Sequence, residues 1–225
     1  MKMLQALQQI SAITAFQWGM ITSAQASQLG VSTLVLSRLA SAGLLERVGR
    51  GVYRLAGAPA DQHEALKAAW LSTDPGRTAS ARLADGVTGV VVAGASAANL
   101  HGIGDLWADR HDFVSPSRRQ SQRKGLRFRV RTLAPQDVAL ISGLPVMSVE
   151  RTVADLLEDL GDLSLVAITL RYADRTGDLD WQRLSPLLTP LAARTGFKAG
   201  DGAALLDHLC TIAGIQNPSR SVLVS

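Results

Sequence analysis

Cysteine is almost absent from this chain. Cys210 is the single one in 225 residues, which excludes an intrachain disulfide and fits a reducing cytoplasm. Aromatic residues make up only 4% of the sequence, so the core has to be built from Ala, Leu and Val. Long apolar runs are missing too. The longest, Val87 to Ala98, spans about twelve residues, against the ~20 a membrane helix requires, and it contains Gly, Thr and Ser. Met1 to Gln17 carries one lysine and several glutamines, which does not make the apolar core of a signal peptide. The expectation is a cytoplasmic protein with no membrane partner. Cys210 lies among Leu205, Leu206 and Leu209, the setting of a core thiol rather than a nucleophile.

What is present is basic charge, unevenly placed. The net charge is +4. Residues 1–60 hold five Lys/Arg against one acid, and residues 115–131 hold seven against none. The stretches between and after them are net acidic. Basic charge gathered in two segments is the electrostatic footprint of a nucleic-acid binder.

The first basic segment has a readable pattern. Thr22-Ser23 can cap a short helix over Ala24–Leu29, which Gly30 ends. Ser32 caps a second helix, whose Leu36 and Leu39 face a small core with Val31 and Leu29. Ala42-Gly43 ends that helix. Leu44–Val48 and Val52–Leu55 read as strands joined by Gly49-Arg50-Gly51, a hairpin tip with one cation. Helix, turn, helix and basic glycine hairpin within residues 22–55 predict a winged helix-turn-helix. Thr33, Ser37 and Arg38 lie opposite the apolar side of the second helix and are expected to reach base edges or phosphates in the major groove. Arg50, with Arg47 and Tyr53, is placed at the backbone or minor groove. Thr22, Ser23, Gln28 and the N-cap Ser32 complete the expected DNA-binding set. Met3–Phe16 reads as an amphipathic supporting helix with Leu4, Leu7, Ile10 and Ile13 at spacing three.

Gly57-Ala58-Pro59 reads as a linker, giving a DNA-binding domain over 1–58, a mixed α/β domain over 59–214 and a flexible tail over 215–225. The fold class expected is α+β. In the second domain Leu126–Arg131 alternates strictly, with Leu126, Phe128 and Val130 on one face and Arg127, Arg129 and Arg131 on the other. With Arg118, Arg119, Arg123 and Lys124 these form a possible second nucleic-acid surface. A solvated strand face whose arginines discourage edge pairing fits the same pattern, and both readings stand at this point. Ser148 caps a helix over Val149–Leu160, with Arg151 and Asp155 spaced to pair on its surface.

Three motifs in this order resemble the AbiEi family of antitoxins from type IV toxin–antitoxin systems. They are Arg47-Val48-Gly49-Arg50-Gly51-Val52-Tyr53, Gly94-Ala95-Ser96-Ala97-Ala98-Asn99-Leu100-His101-Gly102, and Gly143-Leu144-Pro145-Val146-Met147-Ser148-Val149-Glu150-Arg151-Thr152-Val153-Ala154-Asp155-Leu156. Met147 departs from the Thr of the family pattern. The resemblance spans about residues 4–213. It implies a winged helix that represses its own promoter at an inverted repeat, with two copies on double-stranded DNA. It also implies a second domain needed for antitoxicity and a nucleotidyltransferase toxin, opposed without a stable complex. Direct binding of the toxin through the second domain is the alternative.

Enzyme readings are weaker. Gly94-Ala95-Ser96 followed by Arg110-His111-Asp112-Phe113 resembles a nucleotidyltransferase core, in which two carboxylates at spacing two hold the metal ions. Here Arg110 stands at that spacing from Asp112, and a cation there repels a metal, so the core reads as degenerate. No Glu-x-Lys nuclease motif occurs. His101, Asp105, Asp109 and His111 cluster in sequence, but Gly102 and Gly104 break the helix that would align them on zinc. Neither an enzyme, nor a metal site, nor a cofactor is expected.

Overall fold

The computed structural model describes residues 3–104, 106–107, 109–119 and 121–218. The fold is mixed α+β and divides into two compact units, Met1–Val90 and Val91–Ser225. No helix among the described residues is long and apolar enough to cross a membrane.

The first unit begins with α1 (Met3–Thr14), strand β1 (Met20–Thr22), α2 (Ser23–Gln28) and α3 (Thr33–Ser41). The hairpin β2 (Leu45–Gly49) and β3 (Val52–Leu55) follows. The three strands form one antiparallel sheet in the order β1-β3-β2. Strand β1 had no signal in the sequence, because three residues are too few to show a period. Ala6, Ile10, Ile21, Ala26, Val31, Leu36, Leu39 and Leu45 make a small core under these elements. Ser32 caps α3, its hydroxyl accepting from Val35 N at 3.4 Å.

This unit runs on to Val90, whereas the sequence placed the boundary near residue 59. The Gly-Ala-Pro stretch is a bend, and the helices after it, α4 (Glu64–Leu71) and α5 (Ala79–Leu83), pack back on the first unit. Buried polar groups hold them. Gln17 Nε2 donates to Gln25 Oε1 at 2.8 Å, Gln17 Oε1 accepts from Ala79 N, and Gln25 Nε2 donates to Arg77 O. Trp70 packs edge-on against Trp18, donates to Val90 O and carries the Arg82 guanidinium over its ring at 3.6 Å. Arg54 is buried between Glu46 and Glu64. Partners far apart in sequence leave no local trace, which is why the linker reading failed. Ahead of α4, Asp61 accepts from His63 N and pairs with Lys67.

The second unit is a five-stranded sheet with helices. Its strands are β4 (Val91–Val92), β5 (His111–Ser115), β6 (Leu126–Val130), β7 (Val138–Ile141) and β8 (Leu144–Met147), in the order β6-β5-β4-β8-β7. The β4–β8 and β5–β6 pairs are parallel, the others antiparallel. Helix α6 (Gly94–His101) follows β4 directly. Helices α7 (Val149–Leu160), α8 (Leu163–Thr176), α9 (Trp181–Leu188) and α10 (Gly202–Ala213) enclose a core of Val, Leu and Ala. Cys210 belongs to that core, and burial pushes its thiol up to about 11. The tail expected over 215–225 lies, from residue 219 on, outside the described residues.

Candidate nucleic-acid interface

The third helix divides cleanly by burial. Leu36 and Leu39 are fully buried, while Leu34, Ser37, Arg38 and Ser41 are exposed at spacings of three and four, on one face. Thr33 and the cap Ser32 are exposed at the N-terminal end of the same helix. Arg38, Arg47 and Arg50 are exposed and enter no ion pair among the described residues. Arg50 sits at the tip of the β2–β3 hairpin. Gly51 holds the turn at φ +69°, in the left-handed region that favours glycine. Ser23 N donates to Gly51 O at 2.8 Å, and its hydroxyl also points there at 3.4 Å, so α2 fixes the tip.

Not every expected contact residue faces outward. Thr22 is fully buried. Its hydroxyl accepts from Gln25 N at 3.1 Å and donates to Pro75 O, and Gln25 Oε1 accepts from Thr22 N. This capping box leaves Thr22 nothing to offer a phosphate. Tyr53 is half-buried with its ring on the core, and Ser23 is half-buried against Gly51. Gln28 is exposed. Leu34 was missed in the sequence; its only signal was falling out of phase with Leu36 and Leu39.

The arginine strand is a correction. Arg127 is bound by two carboxylates, with Nε 2.5 Å from Asp112 Oδ1 and Nη2 2.6 Å from Asp159 Oδ2. Arg129 pairs with Asp155, and Arg131 with Asp155 at 2.9 Å and Glu158 at 2.6 Å. All four acids except Asp112 lie on α7, which begins about twenty residues beyond the strand in the sequence. Asp155 has no solvent exposure. Its partners are Arg129 and Arg131, not the Arg151 expected from helical spacing. The row of guanidinium groups is therefore neutralised, and the face expected to be core is the more open one, with Val130 60% exposed. Burial lowers the basicity of Arg127, but hydrogen bonds to Asp112 and Asp159 outweigh it and raise it. Burial beside Arg131 lowers that of Arg151. In the same segment Arg118 and Lys124 are exposed, and Arg119 and Arg123 half-buried. Arg118, Ser121, Gln122, Leu126, Phe128 and Val130 line an open groove of about 580 Å³ along β6.

The same network closes on the Gly94-Ala95-Ser96 turn. Gly94 adopts φ +52°, and a Cβ there would lie 2.9 Å from Asp112 Oδ2 and 3.2 Å from Arg129 Nη2. Ser96 Oγ is taken up accepting from Asp112 N at 3.0 Å. Asp112 is paired with Arg127, while Arg110, at spacing two from Asp112, lies 3.9 Å from Asp109. His101 is turned elsewhere, donating from Nε2 to Met147 O at 2.6 Å, and Asp105 lies outside the described residues.

Three comparisons bear on this arrangement. No curated protein matches the chain. The crystal structure of the RV2827C protein from Mycobacterium tuberculosis superposes with a TM-score of 0.56 at 18% identity, covering 96% of this chain and 79% of that one; at that identity it shows a shared fold. A family model described as "Transcriptional regulator, AbiEi antitoxin" matches residues 8–56. That span runs from α1 through β3 and contains the exposed face of α3 and the Arg50 tip. Over residues 8–56, all within the first unit, the chain is similar to that family of transcriptional regulators.

Proposed function

We propose that the first unit is a winged helix-turn-helix that binds double-stranded DNA and represses its own promoter. Helix α3 enters the major groove, and the β2–β3 hairpin is the wing. The observation that carries this reading is the exposed face of α3 with Arg38, together with the exposed Arg50 at a hairpin tip, neither in an ion pair among the described residues. Arg38 offers two parallel donors for the O6 and N7 of guanine, while Thr33 and Ser37 reach neighbouring edges or phosphates. Arg47 and Arg50 take backbone phosphates, with Ser32 at the positive end of α3. A single arginine base reader gives modest specificity, so two copies on an inverted repeat supply the rest.

The second unit acts as the antitoxin half, opposing a nucleotidyltransferase toxin and working without catalysis of its own. The ion pair of Arg127 with Asp112 supports this, since metal-assisted phosphoryl transfer needs that carboxylate unpaired and a second one beside it.

The test is binding of the purified chain to its own upstream DNA and to random duplex across a salt series. Salt-dependent binding at least about a thousandfold selective for the upstream DNA is expected. Weak and unselective binding overturns the repressor reading. Co-expression with the neighbouring gene then tests the antitoxin half: rescue of growth is expected, and toxicity unrelieved overturns it.

A further inference from the structure

We infer that Leu34 is a specificity-determining residue that reads the C5-methyl group of a thymine in the major groove. This rests on the proposed docking of α3. Leu34 is 59% exposed in a unit whose neighbouring α3 leucines, Leu36 and Leu39, have no exposure at all. It occupies the second position of α3, in the first turn, where recognition helices contact base edges. Its neighbours on that face, Ser37, Arg38 and Ser41, are all polar, so it is a single apolar side chain within a hydrogen-bonding surface. A leucine held in water at that place has no partner within the unit's core. In the major groove of DNA one base-pair feature is apolar, and that is the thymine methyl.

The geometry also fixes where the thymine stands. Leu34 and Arg38 are one turn apart, about 6 Å along the helix, and stacked bases rise about 3.4 Å per step. The thymine read by Leu34 therefore lies next to, or one removed from, the guanine read by Arg38.

Selection of preferred duplexes from a random library by the full chain, followed by replacement of each thymine with uracil, tests this. Uracil keeps every hydrogen-bonding group and loses only the methyl. The wild-type chain is expected to lose about fourfold in affinity at one thymine within two base pairs of a required guanine, the burial of one methyl-sized group. The Leu34→Ala chain is expected to bind thymine and uracil duplexes alike at that position. Leu34→Gln, which keeps length and adds polarity, is expected to lose the thymine preference as well. Selective binding by the wild type with no methyl-sensitive thymine overturns the role of Leu34 and leaves the repressor reading standing. A methyl preference that survives in both variants assigns it to another side chain and also overturns it. Failure of the wild type to select any sequence overturns both.

Discussion

The two basic segments of this chain look alike in sequence and differ in the fold. Around α3 and the β2–β3 hairpin, Arg38, Arg47 and Arg50 stand in solvent and enter no ion pair among the described residues. Along β6, Arg127, Arg129 and Arg131 are clamped by Asp112, Asp155, Glu158 and Asp159. The lesson is that a run of cations without an acid nearby in sequence says nothing about acids brought to it by folding. Helix α7 carries three of the four carboxylates at spacings of three and four, a stripe that matches a row of arginines at spacing two on the strand. A charge that is satisfied within the protein contributes to stability, and one left in water remains available to a polyanion.

The largest effect that separates the two segments is expected at Asp155. Asp155→Ala leaves Arg129 and Arg131 without their shared, fully buried partner. The cost should be about 3 kcal/mol, at the lower end for a broken buried pair because both arginines keep some solvent. Hydrogen exchange of the β6 and α7 amides should accelerate accordingly, while affinity of the folded protein for DNA stays the same. A loss of DNA affinity at full stability would merge the two surfaces into one.

Next in size is Arg38. Arg38→Ala is expected to cost about 1–3 kcal/mol on the preferred duplex and much less on random DNA, measured by titration of both. Equal losses on the two would remove its role in base reading. Arg127→Ala is the matched control and should leave both affinities unchanged while lowering the urea midpoint.

A smaller, uniform effect is expected at the hairpin. Arg50→Ala should weaken binding to all duplexes alike and reduce the slope of log affinity against log salt by about one. An unchanged slope would place Arg50 away from phosphate.

The smallest effect is a pH dependence confined to the second unit. Burial depresses the basicity of His101 and His111, so both stay neutral in the fold when the unfolded chain already takes up protons. The stability this represents is complete above about pH 6.5, the ordinary histidine value, and is lost as pH falls below it. The urea midpoint should drop between pH 7.5 and pH 5.5. His101→Asn, which keeps a donor for Met147 O, should flatten part of that drop, and an unaltered pH profile in this variant would exclude His101 as its source. Carboxylates contribute in a lower window. Burial pushes Glu158 up, but the hydrogen bond from Arg131 and the nearby arginine charges hold it below the usual range. Its contribution is lost only as pH falls through that depressed value.

Much of the candidate site was legible because it depends on short-range chemistry. Ser32 as a cap, Gly51 as the hairpin turn, and the phase of Leu36 and Leu39 against Ser37 and Arg38 all act within one or two turns of chain. Thr22 shows the limit of that approach. Its capping of α2 was readable, yet its second hydrogen bond goes to Pro75 O, 53 residues away. That contact turns a candidate phosphate ligand into a buried strut. Trp70, Gln17 and Gln25 likewise find partners that only folding supplies, and they carry residues 61–90 into the first unit.

The sequence by itself determined most of the elements and the two faces of α3, because helix periods, caps and glycine turns are set by local backbone and side-chain chemistry. Which charges remain exposed was decided by the tertiary structure alone, since neutralisation of Arg127, Arg129 and Arg131 depends on where a helix twenty residues further along the chain comes to rest.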